Sequence, residues 1–157
     1  MKIKWKPFLI SVAVPLAVGG LSGWLTREGM EAFQRLNQPP LSPPAWLFPI
    51  VWTILFTLMG IASYLVYSSS ASERAKGEAL TVYAIQLVVN FLWPIFFFNL
   101  EWLLFSFLWL LLLWVLVLIL FLRFYRISKP AGWMILPYLL WLTFAAYLNL
   151  GVYLLNR

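Results

Sequence analysis

Apolar runs of roughly twenty residues, cut by short polar or proline-rich stretches, recur five times along the chain. The first runs from about Pro7 to Thr26 and the second from about Ala45 to Tyr67. The third covers about Ala79 to Phe98, the fourth about Trp102 to Leu122 and the fifth about Gly132 to Leu155. About 20 apolar residues in a helix match the hydrocarbon thickness of a bilayer. In lipid only helices and closed barrels satisfy every backbone group, and these runs lack the in–out alternation of barrel strands. The pattern predicts an all-α membrane protein, a bundle of five transmembrane helices forming one domain over residues 1–157. The segment 27–44 stands apart. Its polar first half leads into Pro39-Pro40-Leu41-Ser42-Pro43-Pro44, a stiff entry to the second span, and its length suits a lid-like loop.

Composition sharpens this reading. The chain is 64% hydrophobic and 10% charged, whereas soluble domains are about 45–50% apolar and about 25% charged. The net charge of +6 comes from 11 Lys and Arg scattered among apolar runs, which form no basic groove. No nucleic-acid partner is expected; the partner of these charges is the lipid membrane. Lys2, Lys4, Lys6, Arg74, Lys76, Arg123, Arg126 and Lys129 fall on one face of the bundle, against Arg27, Arg35 and Arg157 on the other. The positive-inside rule then places the N-terminus in the cytoplasm and the C-terminus outside, in the cell membrane. The lysines before the first run also resemble the start of a signal peptide. The length of that run and the lack of a clear small-x-small site favour its retention as a span.

Two absences restrict the chemistry. Without Cys or His there is no disulfide, thiolate nucleophile, serine–histidine triad or imidazole relay, and no metal site is expected. All five acidic residues lie in loops or at span ends, which argues against an ion-coupled transporter.

What lies deep is neutral: Thr53, Thr57, Gln86, Asn90, Ser106, Thr143 and Asn149. Each fits either a helix–helix hydrogen bond or a ligand handle, with Asn90 and Asn149 the best handles. Of ten Trp residues, Trp5, Trp24, Trp46, Trp102 and Trp133 sit near span ends, as an interfacial belt requires. Trp52, Trp93, Trp109, Trp114 and Trp141 lie deeper. Trp102 and Trp109 share a face with no polar partner, which suits lipid contact or a homodimer seam. Trp93 follows Asn90 by one turn, and Trp141 shares a face with Ala145, Leu148 and Asn149. A Trp over small residues with an amide two turns on describes either tight packing or one wall of a flat aromatic pocket. Ala13 to Ala17 and Gly19 to Gly23 permit close helix approach, and Pro15, Pro49 and Pro94 are expected to kink their helices or widen gaps between them.

Three segments resemble a known family. They are Leu36-Asn37-Gln38-Pro39 with Pro43-Pro44-Ala45-Trp46 and Pro49-Ile50-Val51-Trp52-Thr53; Gln86 through Phe97; and Pro137 through Asn149. Their order and spacing resemble the TspO/MBR family, the tryptophan-rich sensory proteins related to the translocator protein or peripheral-type benzodiazepine receptor. The resemblance implies a five-helix bundle, often a homodimer, with a pocket that binds porphyrins, chiefly protoporphyrin IX, and benzodiazepine-site ligands. It implies a pocket wall of Trp52, Asn90, Trp141, Ala145 and Leu148, and makes Trp52 and Trp141 the aromatic pair implicated in porphyrin chemistry. Trp93 and the lid residue Phe33 complete the candidate ligand-binding set. The chain departs from the family pattern at Ala32 and Phe33, which replace a Trp-Tyr pair, and at Gln38, which replaces a Lys. Arg27 and Arg35 are the cations available to substitute for it. Leu150, Tyr153 and Arg157 fit a loose sterol-recognition spacing, from which no sterol binding is inferred.

The expected function is therefore a receptor or sensor that binds tetrapyrroles between its helices, with porphyrin as ligand and no cofactor required. The alternatives are a light-dependent porphyrin-degrading enzyme using Trp52 and Trp141, and a passive tetrapyrrole or sterol carrier.

Overall fold

The computed structural model describes residues 2–157. Five helices among them are long and apolar enough to cross a membrane. They are α1 (Trp5–Leu25), α3 (Leu47–Tyr67), α4 (Glu73–Pro94), α5 (Leu103–Ile127) and α6 (Lys129–Asn156), with a short α2 (Arg27–Phe33) between the first two. The chain is an integral, multi-pass, all-α membrane protein.

The helices outlast their apolar runs. Ser72 caps α4 by accepting the Ala75 N–H at 3.1 Å, so the hydrophilic residues after it already form helical turns. At the other junction α5 runs on past Arg123 and Arg126 to Ile127, and Ser128 alone separates it from α6. Pro130 sits in the first turn of α6, where its missing N–H costs nothing. Hydrophobicity marks where the bilayer ends, but backbone hydrogen bonding continues beyond it.

Two sequence expectations require correction. The segment 27–44 is not loop throughout: Arg27–Phe33 is helical, with Glu28 in its first turn, where an acid suits the helix dipole. Pro49 cannot kink α3, because it too lies within the first turn. Pro94 does disturb its helix. Lacking an N–H, it ends the regular ladder, and Ile95–Asn99 continue as a wider π-helical turn closed by Leu100 N–H to Ile95 O at 3.0 Å.

Around the bundle the order is α1, α3, α6, α5, α4, with α4 returning to α1. The α5–α6 and α1–α3 pairs pack most extensively, and the α4–α1 seam is thin. The closest approach of α3 to the backbone of α1 is made at Gly60. A Cβ there would lie 2.6 Å from Ser11 O and from Val12 Cα, so only glycine admits the neighbouring backbone. At the end of α1, Ser22 Oγ donates to Phe91 O at 3.1 Å and joins it to α4.

The solid core fills one half of the bundle. Met59, Ala62 and Val66 of α3 meet Leu113, Val117, Leu120 and Phe124 of α5, and Ile135, Tyr138 and Leu142 of α6. Where this core ends, the Tyr138 hydroxyl donates to Gln86 Oε1 at 2.8 Å and accepts from Asn90 Nδ2. In Tyr138→Phe both amides lose that partner. Loss of one buried interhelical hydrogen-bond centre costs about 1–2 kcal/mol. Thermal unfolding in detergent should therefore shift downward; an unchanged midpoint would mean that the hydroxyl contributes nothing to the packing.

Candidate functional site

Beyond Asn90 and Tyr138 the helices part. Between the later half of α1, the start of α3, the end of α4 and the later half of α6 lies a cavity of about 410 Å³, roofed by α2. That volume falls in the range of small-molecule sites, roughly 300–1,000 Å³. Helix α5 contributes no lining residue.

Trp52, Asn90, Trp93, Trp141, Ala145, Leu148 and Phe33, the seven residues singled out from the sequence, all line this one cavity. Their surroundings differ. Trp52 packs against Phe56 with ring centroids 5.5 Å apart and edge-on to Tyr138 at 6.1 Å. Trp141 meets Phe48 at 6.0 Å and Phe144 at 5.5 Å. Trp93 stacks on Phe97 at 4.9 Å, and Phe33 descends from α2 onto Phe97 and Phe98, 5.4 Å from each. The π-helical turn is what brings two consecutive phenylalanines to the wall.

Hydrogen bonding separates structural indoles from available ones. Trp93 Nε1 donates to Asn149 Oδ1 at 3.1 Å, Trp109 Nε1 to Val89 O at 2.8 Å and Trp114 Nε1 to Thr143 Oγ1 at 2.8 Å. Trp52 and Trp141 are the two deep indoles that make no hydrogen bond among the described residues. Asn90 donates to Tyr138, and its carbonyl oxygen accepts no bond among the described residues. Asn149 is bonded at both ends of its amide, because its Nδ2 also donates to Leu103 O at 2.9 Å. It fixes Trp93 between α6 and α5 and is a clamp rather than a free handle.

Several other expectations shift. Thr53 and Thr57 turn their hydroxyls back onto Pro49 O and Thr53 O of their own helix and bridge nothing. Trp109 does have a polar partner, the Val89 carbonyl, and it shares its face with exposed Trp102: both pack on Phe96 of the π-helical turn, at 5.2 and 5.9 Å, and on Phe105 of α5. The five tryptophans assigned to the interfacial belt are all at least half exposed. Neither Arg27 nor Arg35 lines the cavity; Arg27 donates to Trp24 O and lies 4.4 Å over the Trp24 ring. Ala32 and Gln38 are absent from the wall as well.

Sequence reasoning missed part of the wall. Gly20 and Gly23 line the cavity with nothing within 4 Å of a Cβ built on either, so this side of α1 is bare backbone facing open space. Read as a helix-contact motif, the glycine run carried no sign of this. Phe97 and Phe98 could have been suspected from the aromatic run after Pro94.

The lid is fastened at both ends. A Cβ at Gly29 would lie 2.6 Å from Phe98 O, which seats α2 on the π-helical turn. The proline stretch is tied to α6 by Tyr147 Oη to Pro40 O at 2.7 Å and by a reciprocal pair between Asn37 and Asn156. Pro39 rests on Gly151, where a Cβ would meet its ring at 2.6 Å.

Comparison with known proteins agrees with this architecture. The model of the TspO/MBR family matches residues 11–155. A tryptophan-rich protein TspO of Chlorobaculum tepidum is 36% identical, covering 94% of both chains. The translocator protein of Ovis aries is 33% identical over 92% of this chain and 87% of its own. Protein CrtK of Rhodobacter capsulatus is 34% identical over 91% and 89% respectively. With that match along nearly its whole length and five spans enclosing an aromatic cavity, the chain belongs to the TspO/MBR family of membrane proteins.

Proposed function

We propose that this protein is a membrane receptor or sensor that binds porphyrins of the protoporphyrin IX type, and related hydrophobic ligands, in the cavity beneath α2. Occupancy would report on tetrapyrrole supply or stress. One observation carries the reading: the two deep indoles without an internal hydrogen-bond partner, Trp52 and Trp141, both line the same cavity. A planar ligand offers each an aromatic face, and a ring nitrogen or carbonyl offers an acceptor. No cofactor is required; the porphyrin is the ligand.

Titration of protoporphyrin IX against intrinsic tryptophan fluorescence tests this. The purified protein should show saturable quenching at one site per chain. Two aromatic faces at about 0.5–1.5 kcal/mol each make a Trp52→Ala, Trp141→Ala double variant weaker by about tenfold or more. Quenching that never saturates, or an unchanged affinity in the double variant, would sink the proposal.

The same reading places the chain as a homodimer in the cell membrane, N-terminus inside. Because the chain has no cysteine, single cysteines introduced at Ser70 and Leu41 would report orientation without background. Ser70 should be shielded from an impermeant reagent and Leu41 accessible; the reverse pattern would invert the topology.

A further inference from the structure

Among the described residues, no side chain lining the cavity carries a charge. The neutral polar groups there are largely committed: Ser22 donates to Phe91 O, Thr26 to Ser22 O, and Asn149 holds Trp93 and Leu103. What remains among the described residues are the Trp52 and Trp141 indole N–H groups, the Asn90 carbonyl and, at the exposed edge, the neutral Gln34 amide. These suit a ring nitrogen, a ring N–H or a carbonyl. They do not suit a carboxylate, since an ionised group buried without a cation costs far more than two separate neutral donors return.

The charge at this end of the bundle gives no help from a distance. Arg27, Arg35 and Arg157 are matched in number by Glu28, Glu31 and Glu101, and the excess of positive charge lies at the opposite end. A dianion approaching the lid therefore meets no net positive charge. Of the lining residues that are themselves exposed, Gly20 lies on α1, while Gln34, Ala45, Pro49 and Thr53 cluster where α2 and the proline stretch meet the start of α3. Of that cluster Gln34 and Ala45 lie outside the spans, so a ligand's charged arms reach water past Gln34.

Resting on the porphyrin reading, we infer that the cavity selects the uncharged face of a planar macrocycle and does not recognise its carboxylates. A neutral porphyrin ester is then as good a ligand as the dicarboxylic acid. Selection is by shape and aromatic surface, and binding is insensitive to ionic strength.

The test compares protoporphyrin IX with its dimethyl ester on the full chain in detergent, each titration corrected by one into empty micelles. The two affinities should agree within about threefold, and that of the diacid should change less than about twofold between low and high salt. A Gln34→Arg variant, placing a cation at the exposed edge, should tighten the diacid over the ester by about fivefold or more. An ester about tenfold weaker than the diacid in the unmodified protein, steep weakening of the diacid with salt, or no change of preference in Gln34→Arg would each overturn the inference. Loss of saturable binding for both ligands is a different result, and counts against the porphyrin reading itself.

Discussion

Replacing Gly23 by Phe should abolish porphyrin binding while leaving the bundle folded. The position lines the cavity, and a Cβ built there meets nothing within 4 Å. A benzyl side chain therefore enters space that belongs to the ligand and displaces no protein atom at its root. Helix propensity favours the change by a few tenths of a kcal/mol, since glycine within a helix is about 1 kcal/mol worse than alanine and phenylalanine less so. The cavity is only about 410 Å³, so losing a phenylalanine's volume removes room that a macrocycle needs. Affinity should fall at least about a hundredfold, equivalent to about 3 kcal/mol, with the melting temperature unchanged or raised. Binding measured beside thermal unfolding checks both halves. Retained affinity would mean that the ligand sits elsewhere.

Gly60→Leu should do the opposite, breaking the bundle whether or not ligand is present. Here the first added carbon would lie 2.6 Å from two backbone atoms of α1, which cannot rotate away as a side chain can. The α1–α3 pair must separate, and beyond α3 only the thin seam with α4 and the short α2 hold α1 in place. Overpacking of a close helix contact costs about 1–3 kcal/mol, and a branched side chain against backbone belongs at or above the upper end. A large fall in the unfolding midpoint in detergent is expected. Gly20→Leu is the matched control, because that glycine faces open space. Equal stability of the Gly60→Leu and Gly20→Leu proteins would contradict the close approach.

These glycines also show where sequence reading reached its limit. Gly19 and Gly23 have the spacing of a helix-contact motif, yet a Cβ at Gly19 would meet the ring of Phe56 and one at Gly23 nothing. Gly60, alone on its helix, carries the close contact with backbone. Spacing identifies small residues, but only the partner's position says whether smallness admits a helix or leaves a hole. The spans were legible because twenty apolar residues have one stable form in lipid. Their helical ends were not, because capping by Ser72 and Ser128 carries α4 and α6 beyond the hydrocarbon boundary.

The candidate site was legible for a similar reason. Trp141, Ala145 and Leu148 share a helical face, and Asn90 and Trp93 share another; the cavity lies where those faces meet. Local spacing did not reveal which polar groups were already spent. Asn90 and Asn149 are alike in sequence, yet Asn149 is bound on both sides by Trp93 and Leu103, while Asn90 keeps an oxygen without a partner among the described residues. Nor could it reveal the lid's attachments, since Asn37 and Asn156 are 119 residues apart. Such pairings follow from the helix order around the bundle.

The most direct measurement is a structure of the full chain with protoporphyrin IX bound. The macrocycle should lie beneath α2 against Trp52 and Trp141, its ring near the Asn90 carbonyl and its carboxylates directed past Gln34 to the exterior. A macrocycle seated on the lipid-facing aromatics around Trp102 and Phe105, with the cavity empty, would contradict the assignment of this cavity as the ligand site.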